Sequence, residues 1–178
     1  ISIKQTIGNT YDYFEARTND LNHVFTYGPS LDFYWWNSTD YRNKFSGDLG
    51  FGYDAIPEFD SRSYQIRWAP RFRVNNHLFM TYVISHKLEH NNVGRAFDSN
   101  YTNLEDEQGN ILFSKRKRKT ITNVFKLSYV VNNELSFDIK LRHYWSTLLH
   151  KQFYKLENGN LKENDFPIQD LNNTPLYD

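Results

Sequence analysis

The sequence predicts an all-β protein: an up-and-down antiparallel meander forming part of a transmembrane β-barrel. Three observations lead there: a side-chain period of two, regular alternation of short and long connections, and aromatic richness on an apolar-poor chain. From Tyr64 to Val74 one face carries Tyr64, Ile66, Trp68, Pro70, Phe72 and Val74, and the other Gln65, Arg67, Ala69, Arg71 and Arg73. A helix would scatter both sets, whereas a strand separates them. Ser38-Thr39-Asp40, Asn75-Asn76 and Asn132-Asn133 are short links, and long polar stretches fall between them. In a meander this order gathers the short turns at one end and the long loops at the other, as in membrane barrels. Only 39% of the 178 residues are apolar, yet 13 are Tyr, 14 Phe and 4 Trp. Such rings suit a lipid–water boundary better than an aliphatic soluble core.

The elements follow in chain order. Residues 1–7 read as the end of a strand, so the chain is expected to be a cut or partial polypeptide. Residues 31–37 form the next strand. In 41–54, Phe45, Leu49, Phe51 and Tyr53 oppose Arg42, Lys44, Asp48 and Asp54. Residues 63–74 hold the pattern above, and 77–88 alternate less cleanly. In 118–131, Ile121, Phe125, Leu127, Tyr129 and Val131 share a side. In 134–155, Leu135, Phe137, Ile139, Leu141, His143 and Trp145 oppose Ser136, Asp138, Lys140, Arg142 and Tyr144. The total is about seven strands and no convincing helix. They make one domain, 1–178, with long outer loops at 8–30, 89–116 and 157–178. The two Asn-Asn links are expected to use the positive φ that Asn tolerates in tight hairpins. An odd strand number does not suit a bacterial single-chain barrel, and the outermost strands would leave bare edges. The expectation is an incomplete barrel segment, finished by the rest of the polypeptide or by partner subunits.

Composition also excludes functions. There is no Cys, so disulfides, Cys-based zinc sites and thiol chemistry are ruled out. Basic and acidic residues balance at 21 each, which gives no whole-chain case for nucleic acid. No run approaches the roughly 18 apolar residues of a membrane helix.

Two groups of residues are candidate sites. Arg67, Arg71, Arg73, Lys126, Lys140 and Arg142 fall on the polar faces and would make a basic lumen lining, favouring anionic solutes or an acidic plug. Lys115, Arg116, Lys117, Arg118 and Lys119 lie where an outer loop enters its strand, at the height of lipopolysaccharide phosphates. The alternative for that run is a solvated loop base paired with Glu105, Asp106 and Glu107. Trp35, Trp36, Trp68 and Trp145 are candidates for interfacial girdles. His86 and His90 are four apart, which on a strand separates them by about 13 Å, too far to converge on a metal. No metal or cofactor is expected. No nucleophile elbow, phosphate loop or dinucleotide fingerprint occurs. His23, His90, Asp98 and His150 lie at the loop end, but nothing in the sequence pairs them, and no catalytic residue is expected.

Several strings carry a family resemblance. They are Asp12-Tyr13-Phe14-Glu15-Ala16-Arg17, Ser38-Thr39-Asp40-Tyr41-Arg42-Asn43-Lys44-Phe45, Ala69-Pro70-Arg71-Phe72-Arg73 and Arg118-Lys119-Thr120 leading into Asn123. Leu141-Arg142-His143-Tyr144-Trp145-Ser146, followed by Lys151-Gln152-Phe153, completes the set. Together they resemble the C-terminal barrel region of an uncharacterised family of Bacteroidota outer-membrane proteins. Its members carry an N-terminal carbohydrate-binding-like domain of the family 9 type. The resemblance implies place and shape: a non-enzymatic structural or transport component of the bacterial outer membrane, in contact with its lipid. The alternatives are a soluble β-sheet carbohydrate-binding module and a membrane-embedded hydrolase. The membrane reading requires Ile66, Trp68, Phe72, Val74, Leu135, Phe137, Ile139 and Leu141 to project outward, and the basic set to face the interior.

Overall fold

A computed structural model describes residues 1–8, 11–14, 24–98, 101–157, 160–165 and 175–176. The strands are β1 (Ser2–Gly8), β2 (Tyr11–Phe14), β3 (Val24–Tyr27), β4 (Ser30–Ser38), β5 (Phe45–Ile56), β6 (Ser61–Arg73), β7 (Leu78–Arg95), β8 (Leu112–Val130), β9 (Ser136–Glu157), β10 (Asn160–Asn164) and β11 (Pro175–Leu176). A 3-10 turn at Pro57–Phe59 joins β5 to β6. One antiparallel sheet runs β1-β4-β5-β6-β7-β8-β9-β10, β11 adds to β9, and β2 and β3 form a separate hairpin. All seven expected strands are present. The sheet is open, and among the described residues no strand joins its two ends.

The short turns close differently from the expectation. Neither Asn75 nor Asn132 has a positive φ; among the described residues Asp60, Asn91, Tyr101 and Gly109 do. Instead Asn75 Oδ1 accepts from the backbone N–H of His77 and Leu78, each at 2.8 Å. Asn132 Oδ1 does the same for Glu134 and Leu135, each at 2.9 Å. The side chain mimics a backbone turn, so Asn is used for its oxygen and not for left-handed backbone. Residues 41–44, expected at the start of a strand, are a turn, with the backbone N–H of Arg42 held by Asp40 Oδ1 at 2.9 Å.

The long loops are shorter than expected. β7 continues to Arg95 and β8 begins at Leu112, which reduces the 89–116 loop to 96–111. The 8–30 segment contains the β2–β3 hairpin, and β10 lies within 157–178. β9 alone runs 22 residues, about twice the 9–11 or so that cross a bilayer. Beyond the crossing length, polar residues occupy both faces, so the period-two signal fades while the ladder continues. Register shifts mark this transition, between Glu89 and Asn92 on β7 and between Lys115 and Arg116 on β8.

The two clusters of buried apolar residues sit at the loop end. Tyr27, Val93, Phe113 and Tyr154 form one cluster, joined by Ile56, Phe59, Leu156 and Leu161. Ala96, Leu112 and Phe153 form another, with Leu104 against it. The hairpin residue Tyr27 caps the first cluster and donates its hydroxyl to Val93 O at 2.9 Å. Residues of the 96–111 loop cap the second.

Candidate functional site

The register assigns each strand residue to one of two faces. Leu49 pairs with Trp68, Trp68 with Ile84, Ile84 with Asn123 and Asn123 with His143, and paired residues project to the same side. One face thereby gathers Phe33 and Trp35, Leu49 and Phe51, Ile66 and Phe72, Met80 and Ile84, Phe125 and Leu127, and Ile139 and Leu141. Over about ten residues from the short turns, the length of a bilayer crossing, this face bears no Lys, Arg, Asp or Glu on any of these strands. The first charges appear at Arg62 on β6 and at Lys119 on β8. Polar side chains inside the band bond to one another: Tyr82 Oη donates to Asn123 Oδ1 at 3.2 Å, and Asn123 Nδ2 meets His143 Nδ1 at 3.2 Å. Aromatic residues flank the band, with Tyr129 opposite Phe137 at the turn side and Tyr53 opposite Tyr64 at the loop side.

Burial is inverted relative to a soluble sheet. On the apolar face Phe45 is 62% exposed, Ile66 54% and Leu141 62%, while on the polar face Asp48 is 3% exposed and Ser46 and Ala69 are buried. Phe137, Ile139 and Leu141 are all exposed, the orientation that the membrane reading requires.

The opposite face holds the whole expected basic set: Arg67, Arg71 and Arg73 on β6, Lys126 on β8, and Lys140 and Arg142 on β9. It is more mixed than a basic lining, because Asp32, Asp48, Asp54, Glu89 and Asp138 share it. Asp48 receives hydrogen bonds from the Tyr41 hydroxyl and, at 2.9 Å, from Arg71, whose guanidinium lies 4.2 Å from the Tyr41 ring centroid. Arg67 stacks over Trp36 at 5.1 Å. Trp36 is therefore a polar-face residue and not part of an outward girdle, whereas Trp35, Trp68 and Trp145 are on the apolar face. Gly50 makes room for it: a Cβ there would come within 2.6 Å of the indole. Lys126 and Lys140 stand directly opposite each other with like charge.

The Lys115–Lys119 run splits by strand alternation. Lys115, Lys117 and Lys119 project with the apolar face, and Arg116 and Arg118 with the polar face. Arg116 is buried and donates to Asn92 Oδ1 at 2.5 Å and Arg95 O at 3.1 Å. Arg118 donates to Ser146 Oγ at 3.3 Å and Tyr144 Oη at 3.2 Å, with Glu89 4.0 Å away. Asp106, expected beside this run, pairs instead with Lys155 at 3.2 Å. Hydrogen bonds from Asn110, aided by Lys155 and Gln108, pull its pKa down to about 2.

His150 has the partner that the sequence did not reveal. Its Nδ1 lies 2.6 Å from Ser114 Oγ, its ring stacks 5.7 Å from Phe153, and Phe97 meets it edge-on at 5.5 Å. Burial, then the neighbouring Arg116 charge, lower its pKa to about 4, against a hydrogen bond to the Phe97 backbone. Ser114 has no exposed surface; the pair bridges β8 and β9, and Phe97 of the 96–111 loop packs edge-on against the same His150 ring. His90 lies on another face and His23 outside the described residues. Among the described residues no cluster of His, Asp or Glu could hold a metal ion, and no helix is long and apolar enough to cross a membrane.

With this geometry established, the comparisons give a family. A domain of unknown function, DUF5916, matches residues 1–175. The chain belongs to that family. No curated protein and no solved structure matches it.

Proposed function

We propose that this DUF5916 chain is part of the wall of a transmembrane β-barrel in a bacterial outer membrane, working as a structural or transport component without catalysis. Its apolar face meets lipid, its polar face meets the interior, and further strands complete the circle. The resemblance to Bacteroidota barrel regions that follow a carbohydrate-binding-like domain supports the same placement. One observation carries the reading: an outward face free of charge for one bilayer crossing, opposite a polar face that is better buried. In water that face would expose an apolar patch on the order of 1,000 Å², from strand spacing and rise. Soluble monomers rarely exceed about 300–600 Å².

The Cys-free sequence makes the test direct. Single Cys residues at Phe72 or Ile139, and at Arg71 or Lys140, are labelled with a fluorophore in the vesicle-reconstituted protein. Quenchers attached to lipid tails should dim the first pair strongly and the second weakly. Equal quenching, or a protein that stays monomeric without detergent, overturns the proposal.

A further inference from the structure

The apolar band ends in a basic cluster drawn from separate strands. Arg62 on β6 pairs in register with His90 on β7. Lys119 on β8 pairs with Leu88 and Thr147, and Lys117 with Leu149. All of these lie about ten to thirteen residues from the short turns, where a tilted strand would leave the hydrocarbon and reach the headgroups. Lys151 joins them through the β9 irregularity and donates to Asn91 Oδ1 at 3.1 Å.

The cluster is held in place. Asn91 is the left-handed residue of the β7 bulge, φ 52°, and its amide donates to Asp60 O at 3.1 Å and Asp60 Oδ2 at 3.3 Å. Asp60, also left-handed at φ 50°, in turn pairs with Arg62 at 2.8 Å. One carboxylate therefore anchors Arg62 and, through Asn91, Lys151, while Lys117, Lys119 and Lys151 remain exposed. Burial first, and after it the charges of Lys117, Lys151 and Arg62, lower the pKa of His90, so these three cations act on one ring.

We propose that Arg62, Lys117, Lys119 and Lys151 form a binding site for the phosphates of the lipid A headgroup of lipopolysaccharide. The site uses only part of the basic run, since Arg116 and Arg118 point away, and it adds cations from two other strands. Several cations around one acid match a bis-phosphorylated sugar headgroup. A zwitterionic phospholipid would bring its own ammonium group into the same field. Clustered charge-assisted bonds to phosphate are the strong kind. The inference rests on the barrel reading.

The test is native mass spectrometry of the full-length protein released from membranes containing lipid A, bis-phosphorylated or enzymatically dephosphorylated. Wild-type protein should retain the bis-phosphorylated form, with at least tenfold less of the dephosphorylated one. The double variant Lys117→Gln/Lys119→Gln should lose at least fivefold retention, and Arg62→Gln should add to the loss. Lys126→Gln/Lys140→Gln, on the polar face, should match wild type. Equal retention by the Lys117/Lys119 variant, or of the dephosphorylated lipid, overturns the site. So does full displacement by phosphatidylglycerol. Membrane insertion, followed separately by heat-modifiable mobility, distinguishes the two failures. Insertion without phosphate-dependent retention defeats only this inference, whereas no insertion defeats both.

Discussion

Leu141→Arg tests the orientation of the sheet through the sign of its effect. Leu141 is 62% exposed and lies beside Phe125 on the apolar face. It is four positions from Phe137, which stands opposite Tyr129 at the turn-side edge of the band. At about 3.4 Å per residue and a tilt near 45°, that places it roughly 10 Å inside a band about 25 Å tall, close to the midplane. An Arg there should cost about 2–4 kcal/mol, falling to about 0–1 at the interface. Leu149→Arg, at the height of Lys117, serves as the interface control. In water the expectation reverses, because replacing a mostly exposed Leu is neutral within about 0.5 kcal/mol. The assay is reversible denaturant unfolding of the vesicle-reconstituted protein, comparing midpoints at constant slope. Equal, near-zero effects at positions 141 and 149 would refute the lipid-facing assignment.

Three further outcomes follow from particular contacts. Protonating His150 is disfavoured in the fold, where its pKa is about 4, but not in an opened state near 6.5. The stabilisation is therefore complete above about pH 6.5 and is lost as the pH falls toward 4. Exchange of the 96–111 amides, corrected for intrinsic rate, should rise on the order of 30-fold from pH 7.5 to 5, and His150→Gln should abolish that rise. Gly94→Ala would place a Cβ 2.1 Å from the Arg116 guanidinium. Because Arg116 is buried and bonded, this should cost about 1–3 kcal/mol and speed proteolysis within 96–111. Asp48→Asn should cost about 1–3 kcal/mol, discounted because Arg71 is a third exposed. A double cycle with Arg71→Ala should recover most of that loss as coupling.

The strands were legible because one face of the sheet is apolar and the other polar, so alternate residues carry opposite chemistry. Tyr64–Val74 and Leu135–Trp145 carry that imprint in full, and β6 and β9 lie where the alternation put them. The extensions of β7 to Arg95 and β8 back to Leu112 were not legible. There both faces are covered or wet, and Asn91-Asn92 next to a bulge reads as a loop. The Ser114–His150 pair was hidden for a different reason: it joins residues 36 apart through a register that no local pattern specifies. The basic run was visible as charge, but its division between faces needed only the strand period. Extending the β8 alternation through Lys119 would have given it.

The polar face also bears on how large the proposed barrel would be. Among the described residues β1 has an unpaired edge, as does the turn-side half of β9, and backbone groups bare to lipid would cost several kcal/mol each. Closing these eight strands on themselves would satisfy the edges but give an interior just wide enough for side chains to fill. Lys126 directly opposite Lys140, with Arg142 next on that face, resists such a dry interior. Like charges in a cross-strand pair repel, and in low dielectric the repulsion grows many-fold. Ser128 donating to Asp138 at 2.5 Å leaves that carboxylate one rung nearer the turn, offset from the pair. Water around the two ammonium groups removes the conflict, and water needs room. The charge pattern therefore directs the proposal toward a barrel of more than eight strands, with β1 and β9 each pairing a strand beyond this sheet.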